Sequence, residues 1–589
     1  MGLGALLARV AHEFETRNRI FDLPTGRIWS PDQAVDLGTE FLGRLIATPI
    51  GPAAGPHSQL AQNIVLSWLG GSRLFELKTV QILDELEIAR PCIDMATIGY
   101  NIEWSQELTL GQSLTEYVKA SMMLEILQRW EPLAAHIGPT PGPYVFDMSV
   151  GYDLAGIANP RVAAFITGMK DASAEVAALR SQIPDAFAEF RDLDFTTSLA
   201  DTLTLSTFHG CPPDEISQIT KHLIDVHDLD VIVKLNPTLL GYETVAGLVN
   251  DTLGYADVDV KEEAFAEDLQ FDRGIELIGE LNQYAKDRGR RFGIKLTNTL
   301  VVNNAKQWMP EDTMYLSGPP LHVLAMSLLD KLSAALPGTF DIPGHDGEIM
   351  VSFSAGVTKA NLADTIATGV NPATICSDLL KPGGYGRLAP MLKALTTEIA
   401  EAGCSDLAGW RQVRQAAAAG SGHSSVVAQH VAAITNAGTG AGIELYHLDG
   451  NTKMPREVDN ELQMFGCVAC NFCITVCPND AFFSIPSPEG LEGRQQYLLF
   501  AELCNECGNC MTFCPEDGDP AMIKPRLFTD SSVFNGRTGQ GFLLGSDGVR
   551  GRPGDEEAEA IVAGMLLAST GGNPLGHSLG GSSAEGSAQ

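Results

Sequence analysis

The sequence predicts an α/β chain: a (β/α)8 TIM barrel followed by a small α+β domain built around cysteines. Three observations carry this. Eight short apolar runs, separated by helix-length stretches, fill the first two-thirds of the chain. Cysteines crowd into the region between Cys467 and Cys514. Hydrophobic residues make up 44% and charged residues 19%, the composition of a folded globular chain, and 589 residues exceed one ordinary domain.

The eight runs are residues 48–50, 74–77, 144–148, 202–205, 231–235, 293–296, 350–353 and 373–375. Between them lie helix-like stretches such as 215–225, 321–335 and 359–368. Eight strands in one series with helical connections predict a closed parallel barrel, with a doubly wound open sheet as the alternative. Residues 82–143 are too long for one connection and predict an insertion over the barrel mouth. The expected domains are a barrel over 1–400, a helical connector over 401–457, the cysteine domain over 458–530, and an extension over 531–589. Within that extension, 555–568 reads as an amphipathic helix and 570–589, rich in Gly and Ser, as disordered. The Gly438–Gly442 cluster lacks the spacing and preceding strand of a dinucleotide fingerprint.

A formal net charge of -34 disfavours nucleic acid, because phosphates attract basic patches. It suits solubility, or docking to the basic face of a partner. Residues 1–9 carry no basic leader and read as a surface helix, not a signal peptide. No apolar stretch is long enough to span a bilayer, so no membrane insertion and a cytoplasmic location are expected. With no secretion signal, the 12 cysteines point to metal binding or catalysis before disulfides.

Cys467, Cys470, Cys473 and Cys477 precede Pro478, and Cys504, Cys507, Cys510 and Cys514 precede Pro515. Each run has the C-x2-C-x2-C-x3-C-P spacing of a ferredoxin-like two-cluster domain, not the paired C-x2-C elements of structural zinc. Three thiolates on a tight loop grip one 4Fe-4S cluster, and the fourth reaches the neighbouring one. Cys467, Cys470, Cys473 and Cys514 therefore group together, as do Cys504, Cys507, Cys510 and Cys477. Small or polar neighbours such as Ala469, Asn471, Asn505, Gly508 and Asn509 leave backbone N–H groups free to bond the sulfurs. Two adjacent clusters make an electron wire with a donor at one end and an acceptor at the other.

At the barrel, the first strand ends in small residues, including Ala54 and Gly55, which let a flat ring approach the backbone. The second carries Glu76, Lys78 and Thr79, with Glu76 and Lys78 on one face. An inward lysine needs an anion or carbonyl, either a cofactor or, alternatively, Glu76 itself. Strand five supplies Lys234, and strand six ends in Lys295-Leu296-Thr297-Asn298-Thr299. Strands seven and eight end in Ser354-Ala355-Gly356 and Cys376-Ser377, where barrels hold phosphate.

These motifs, with Pro49-Ile50-Gly51, Lys234-Leu235-Asn236-Pro237 and Leu316-Ser317-Gly318, resemble in order and spacing the dihydroorotate dehydrogenase-like flavin barrels. They are most similar to the pyrimidine-reducing part of dihydropyrimidine dehydrogenase. A closer resemblance, covering barrel and cysteine segment, is to the YgfK-type proteins described as selenate reductase subunits. It rests on Gly51-Pro52-Ala53-Ala54-Gly55-Pro56-His57, Asn101-Ile102-Glu103-Trp104-Ser105 and the 504–510 run.

The resemblance implies FMN, with Lys78 and Lys234 on its ring and ribityl groups. Ser317, Gly318, Gly356 and Ser377 would hold its phosphate, and Ala54, Gly55, Thr79, Ser206, Ala355 and Cys376 would also bind the cofactor. Asn298 and Thr297 would face flavin or substrate. Cys211, in Phe208-His209-Gly210-Cys211-Pro212-Pro213, matches the catalytic cysteine after strand four, with His209 as the second candidate acid. Such a cysteine, with a near-neutral pKa, donates a proton to carbon. Two departures stand against a pyrimidine substrate: Ser206 replaces an asparagine of the family, and Tyr152-Asp153 stands where asparagine is common. The flavoprotein module that longer relatives carry between barrel and cysteine segment is missing from that place. A separate NAD(P)H-dependent flavoprotein subunit or a ferredoxin is the implied electron partner.

The expected function is an FMN-dependent iron–sulfur oxidoreductase subunit. It passes electrons through two 4Fe-4S clusters to FMN and reduces or oxidises a cyclic amide-type heterocycle such as a purine or pyrimidine. The alternative is a non-catalytic electron-transfer subunit. Selenate reduction is a third reading, unaccompanied by any molybdopterin-binding pattern.

Overall fold

The protein is described from a computed structural model. It describes residues 1–567 apart from 84–87, 103–106, 139–140, 208–209, 346, 437–441 and 546–547. His209, Glu103 to Ser105, most of the Gly438–Gly442 cluster, the end of the 555–568 helix and the 570–589 tail lie outside the described residues.

Eight parallel strands form the barrel: β1 (Ile50–Pro52), β2 (Leu74–Glu76), β3 (Val145–Val150), β4 (Thr202–Ser206), β5 (Asp230–Leu235), β6 (Phe292–Leu296), β7 (Met350–Phe353) and β8 (Ala373–Ile375). Their order is β1-β8-β7-β6-β5-β4-β3-β2, every pairing parallel. The last gap nearly closes, because the Arg73 N–H donates to the Ile50 carbonyl at 3.0 Å. Gly51 permits this approach, since a Cβ there would lie 1.9 Å from the Leu74 carbonyl oxygen. The strands are buried almost throughout, which is why they read as unbroken apolar runs.

A second, antiparallel sheet crosses the mouth. It is assembled from Asp259–Val260, Leu300–Asn303, Thr313–Ser317, Gly99–Asn101 and Ile93–Asp94, in that order. The last two belong to the expected 82–143 insertion. The insertion also holds the helix Leu110–Arg129, capped by Thr109, whose Tyr117 hydroxyl donates to the Lys78 carbonyl at 3.0 Å. After the barrel, the helix Val426–Thr435 packs against Pro319–Ala335.

The cysteine domain carries a five-stranded sheet: Phe482–Pro486, Gln495–Phe500, Arg526–Phe528, Phe542–Gly545 and Gly548–Gly551. The first helix, Leu3–Arg17, is more than the surface helix expected for residues 1–9. Leu3, Leu6, Leu7 and Val10 repeat at helical spacing and are fully buried. Arg9 is buried too, pairing with Glu13 at 2.5 Å and reaching Asp480 of the cysteine domain at 2.8 Å and Asp22 at 3.5 Å. Among the described residues, no helix is long and apolar enough to cross a membrane.

Candidate functional site

A cavity of about 710 Å³ opens where the C-terminal ends of all eight strands meet the antiparallel sheet. Ala54 and Gly55 follow β1, Lys78 and Thr79 follow β2, and Gly151 to Asp153 follow β3. Ser206 and Thr207 close β4, Lys234 projects from β5, and Thr297 to Thr299 follow β6. Ala355 and Gly356 follow β7, and Cys376 and Ser377 follow β8. The cover adds Ile93, Met95, Tyr100, Asn101, Tyr315, Ser317 and Gly318. Every expected cofactor-binding residue is therefore on this cavity, together with Lys78 and Asn298. Ile93, Met95, Tyr100 and Tyr315 were not foreseen; the excess length of 82–143 was the only signal for the first three.

Beneath the cavity Glu76 pairs with Lys295 at 2.8 Å, both side chains 1% exposed. The internal partner of Glu76 is therefore Lys295, not Lys78. Parallel register sets Lys295 beside Lys234 and Ser352, and its ammonium also donates to Ser352 at 3.1 Å and Thr374 at 2.9 Å. Burial pushes the Glu76 carboxyl up, but Lys295 and Lys234 outweigh it and hold the group below its ordinary value. Lys234 makes no side-chain hydrogen bond or ion pair among the described residues. Burial pulls its ammonium down, Lys295 adds to that, and Glu76 opposes it. One lysine is thus neutralised internally, and a second charge is left facing the cavity.

Asn298 is fixed rather than free. Its amide donates to the Asn236 side-chain oxygen at 2.7 Å and the Thr207 carbonyl at 3.2 Å. Asn236 donates to Asp268 at 3.0 Å, Thr238 donates to the same carboxylate at 2.8 Å, and the Gly210 N–H donates to its other oxygen. This chain of bonds links Asn298 to the backbone just before Cys211. Cys211 itself is 3% exposed and does not line the cavity. Burial, with Glu215, Asp268 and Asp153 nearby, pushes its thiol up to about 12. The near-neutral thiol expected from the sequence is not what these surroundings give.

At the opposite side Gly318 (φ +70°) and Gly356 (φ +53°) form a bare-backbone cradle, where a Cβ on Gly356 would sit 2.3 Å from the Gly318 carbonyl oxygen. Buried groups brace it. His322 Nδ1 donates to the Ala355 carbonyl at 2.9 Å, and Asn361 donates to the Gly356 carbonyl at 3.0 Å. Burial pulls His322 down to about 3, so it is neutral, and with its proton on Nδ1 its Nε2 accepts from His430 at 3.2 Å.

Within each expected set, cysteine thiols lie within electrostatic reach of one another. Burial raises the Cys473 thiol, and Cys470, Cys467 and Cys514 raise it further. Burial likewise raises Cys510, with Asp519, Cys507, Cys504 and Cys477 adding to it. Buried thiols crowded together in this way form a donor set that a cationic iron core would satisfy. The second group sits against the cavity. The N–H groups of Cys92 and Ile93 donate to the Cys507 carbonyl at 3.1 and 3.2 Å, and Ile93 lines the cavity. Asn509 donates to the carbonyl of Leu380, another lining residue, at 2.8 Å.

Comparison with known proteins agrees with this architecture. Residues 21–424 match the family described as "Oxidoreductase YgfK, N-terminal TIM-barrel domain", and residues 466–517 match "4Fe-4S dicluster domain". The YgfK proteins of Escherichia coli strain K12 and of Escherichia coli O157:H7 are each 40% identical over 411 residues, 66% of this chain. The chain spans 38% of the length of these relatives. Among solved structures, DHODH from Eimeria tenella in complex with ferulenol matches 68% of this chain and 93% of its own at 13% identity. The ligand-free form matches 69% and 97% at 14% identity. Their TM-scores, 0.38 and 0.39, are too low to carry an argument. With the family match spanning most of its length, the chain belongs to the YgfK oxidoreductase family and joins that family's TIM barrel to a 4Fe-4S dicluster domain.

Proposed function

We propose that this chain is an iron–sulfur flavin oxidoreductase subunit, with two 4Fe-4S clusters on its eight cysteines, FMN in the barrel cavity, and a cyclic amide-type heterocycle such as a purine or pyrimidine as substrate. One observation carries the reading: a cluster-type cysteine loop is hydrogen-bonded directly to residues that line a lysine-bearing cavity, Ile93 and Leu380. The residues fit the flavin. The cavity has room for a ligand of that size. Lys234, with no partner among the described residues, and Lys78 would meet the ring's carbonyl side, and the Gly318–Gly356 cradle with Ser317 and Ser377 would take the phosphate. FMN, when bound, would supply two-electron hydride chemistry and exchange single electrons with the clusters.

The chain's own groups do the rest. Asn298, locked by Asn236 and Thr207, would orient the substrate's amide edge. Ile93, Met95, Tyr100 and Tyr315 would shield the reacting face from water. Cys211 keeps its proton at neutral pH and would be the proton donor, a role that requires its thiol to face the cavity in the substrate complex. The reverse, oxidative direction uses the same groups. A separate NAD(P)H-dependent flavoprotein subunit or a ferredoxin would exchange electrons with the exposed cysteine group, and the cytoplasm is the proposed location.

The test is anaerobic turnover of purine and pyrimidine rings by FMN-loaded protein with a viologen donor, for the parent and for Asn298→Ala. Substrate-dependent oxidation of the donor, lost in the variant, supports the reading. A protein that binds FMN yet turns over no heterocycle in either direction favours the non-catalytic electron-transfer subunit.

A further inference from the structure

Between the cavity and the cysteine loop lie a ninth cysteine and an ion pair that the proposed function does not use. Cys92 is 1% exposed. Its N–H donates to the Cys507 carbonyl, and its thiol lies within electrostatic reach of both Lys78 on the cavity and the Cys507 thiol. Arg90 donates to the Cys92 sulfur at 2.8 Å and pairs with Glu107 at 2.5 Å. Glu107 accepts from Asn505 at 3.0 Å, and Asn505 lies inside the 504–510 loop. Contact between loop and bridge is direct, for a Cβ on Gly508 would come within 2.4 Å of the Pro91 Cβ. Arg90 and Glu107 are 28% and 13% exposed, so salt and water screen their charges only in part.

We propose that Arg90 and Glu107 form an opposed pair that sets the reduction potential of the cluster held by Cys477, Cys504, Cys507 and Cys510. The proposal rests on the reading of those cysteines as a cluster site. Taking up one electron adds one negative charge to that site. The Arg90 guanidinium favours that charge, and the Glu107 carboxylate opposes it. Held against each other, the two nearly cancel, and removing either one exposes its partner's field. Arg90 and Glu107 touch no substrate and no reacting atom; they act through the cluster.

The test is an anaerobic redox titration followed by EPR, with dithionite as reductant, on the full chain and on R90Q, E107Q, R90K and the R90Q/E107Q double variant. R90Q should shift one cluster to lower potential and E107Q the same cluster to higher potential. R90K and the double variant should stay near the parent, and the other cluster should not move. A merely structural role would shift both single variants the same way or cost both their iron. Same-direction shifts, no shift, or equal shifts of both clusters overturn the proposal. Should R90Q fail to hold iron, E107Q decides alone: an upward shift supports the proposal, and no shift or a downward one overturns it. A parent that holds no second cluster overturns the underlying reading, a failure distinct from the others.

Discussion

The group of Cys477, Cys504, Cys507 and Cys510 and the group of Cys467, Cys470, Cys473 and Cys514 share one spacing and differ in their surroundings. In the inner group Cys504, Cys507 and Cys510 are buried, and the turn after Cys477 is bolted to the barrel. Asn63 donates to the Pro478 carbonyl at 2.8 Å, and the Tyr385 hydroxyl donates to it at 2.6 Å. All four cysteines of the outer group are partly exposed, beside an exposed Val468. Their neighbours form an acidic edge: Val458 donates to the Pro515 carbonyl at 2.7 Å and Leu462 to the Asp517 carbonyl at 2.9 Å, with Glu457, Asp459, Glu461 and Asp517 exposed. Spacing selects the cofactor, and packing selects its task. The inner group lies against the cavity, and under the proposed function the outer group would exchange electrons with the partner.

The largest effect should separate the two groups. Cys507→Ser should slow reduction of the bound flavin by an external donor about 10²-fold or more, taking as a floor the loss typical of disturbed metal sites. Cys470→Ser should slow a protein donor but leave a small viologen donor effective at the inner group. Anaerobic stopped-flow bleaching of the flavin measures both, and equal losses with both donors would erase the distinction.

Next comes the bolt between the N-terminal helix and the inner group. Arg9→Met would leave Glu13, Asp22 and Asp480 buried without their cation. The expected cost is about 3–5 kcal/mol, read from urea unfolding. An unchanged midpoint would contradict it.

Lys234→Gln should weaken FMN binding by about 1.5–3 kcal/mol, the worth of a charge-assisted hydrogen bond, while leaving both cysteine groups intact. Flavin fluorescence titration reads the affinity, and cluster absorbance provides the control.

The last prediction concerns the barrel interior. Asp147, bonded by Thr202 at 2.7 Å and Thr204 at 2.6 Å, is pushed up by burial from 3.8 to about 7, although those bonds pull it down. An acid whose folded value is raised loses stability as pH climbs from the unfolded value to the folded one. The parent should therefore lose ground to Asp147→Asn between about pH 4 and pH 7, by at most roughly 1.4 kcal/mol per pH unit, and no further above it. Unfolding at about pH 5 and pH 8 checks the sign.

Much of this was legible in the sequence. Strands β7 and β8 fall where their apolar runs stand, and the other six lie within about two residues of theirs, because strands buried on both faces need no alternation. The dicluster domain was legible because ligand spacing is a local code. The mouth sheet was not: Ile93–Asp94 and Asp259–Val260 are two residues each, and the sheet gathers strands from distant parts of the chain, so no window carries its period. The Glu76–Lys295 pair depends on barrel register, which no local pattern reveals. The Cys211 thiol illustrates the same limit: its loop was legible, but it is raised first by burial and then by carboxylates that include Asp268 and Asp153, which come from distant parts of the chain.

The central claim is that one chain joins two clusters to a flavin. Anaerobic purification with iron, sulfide and released flavin measured on one sample tests it most directly. The account predicts iron and sulfide for two 4Fe-4S clusters and one FMN per chain. Two clusters with no flavin, even after FMN is supplied, would contradict it and leave the barrel as scaffold for an electron-transfer subunit.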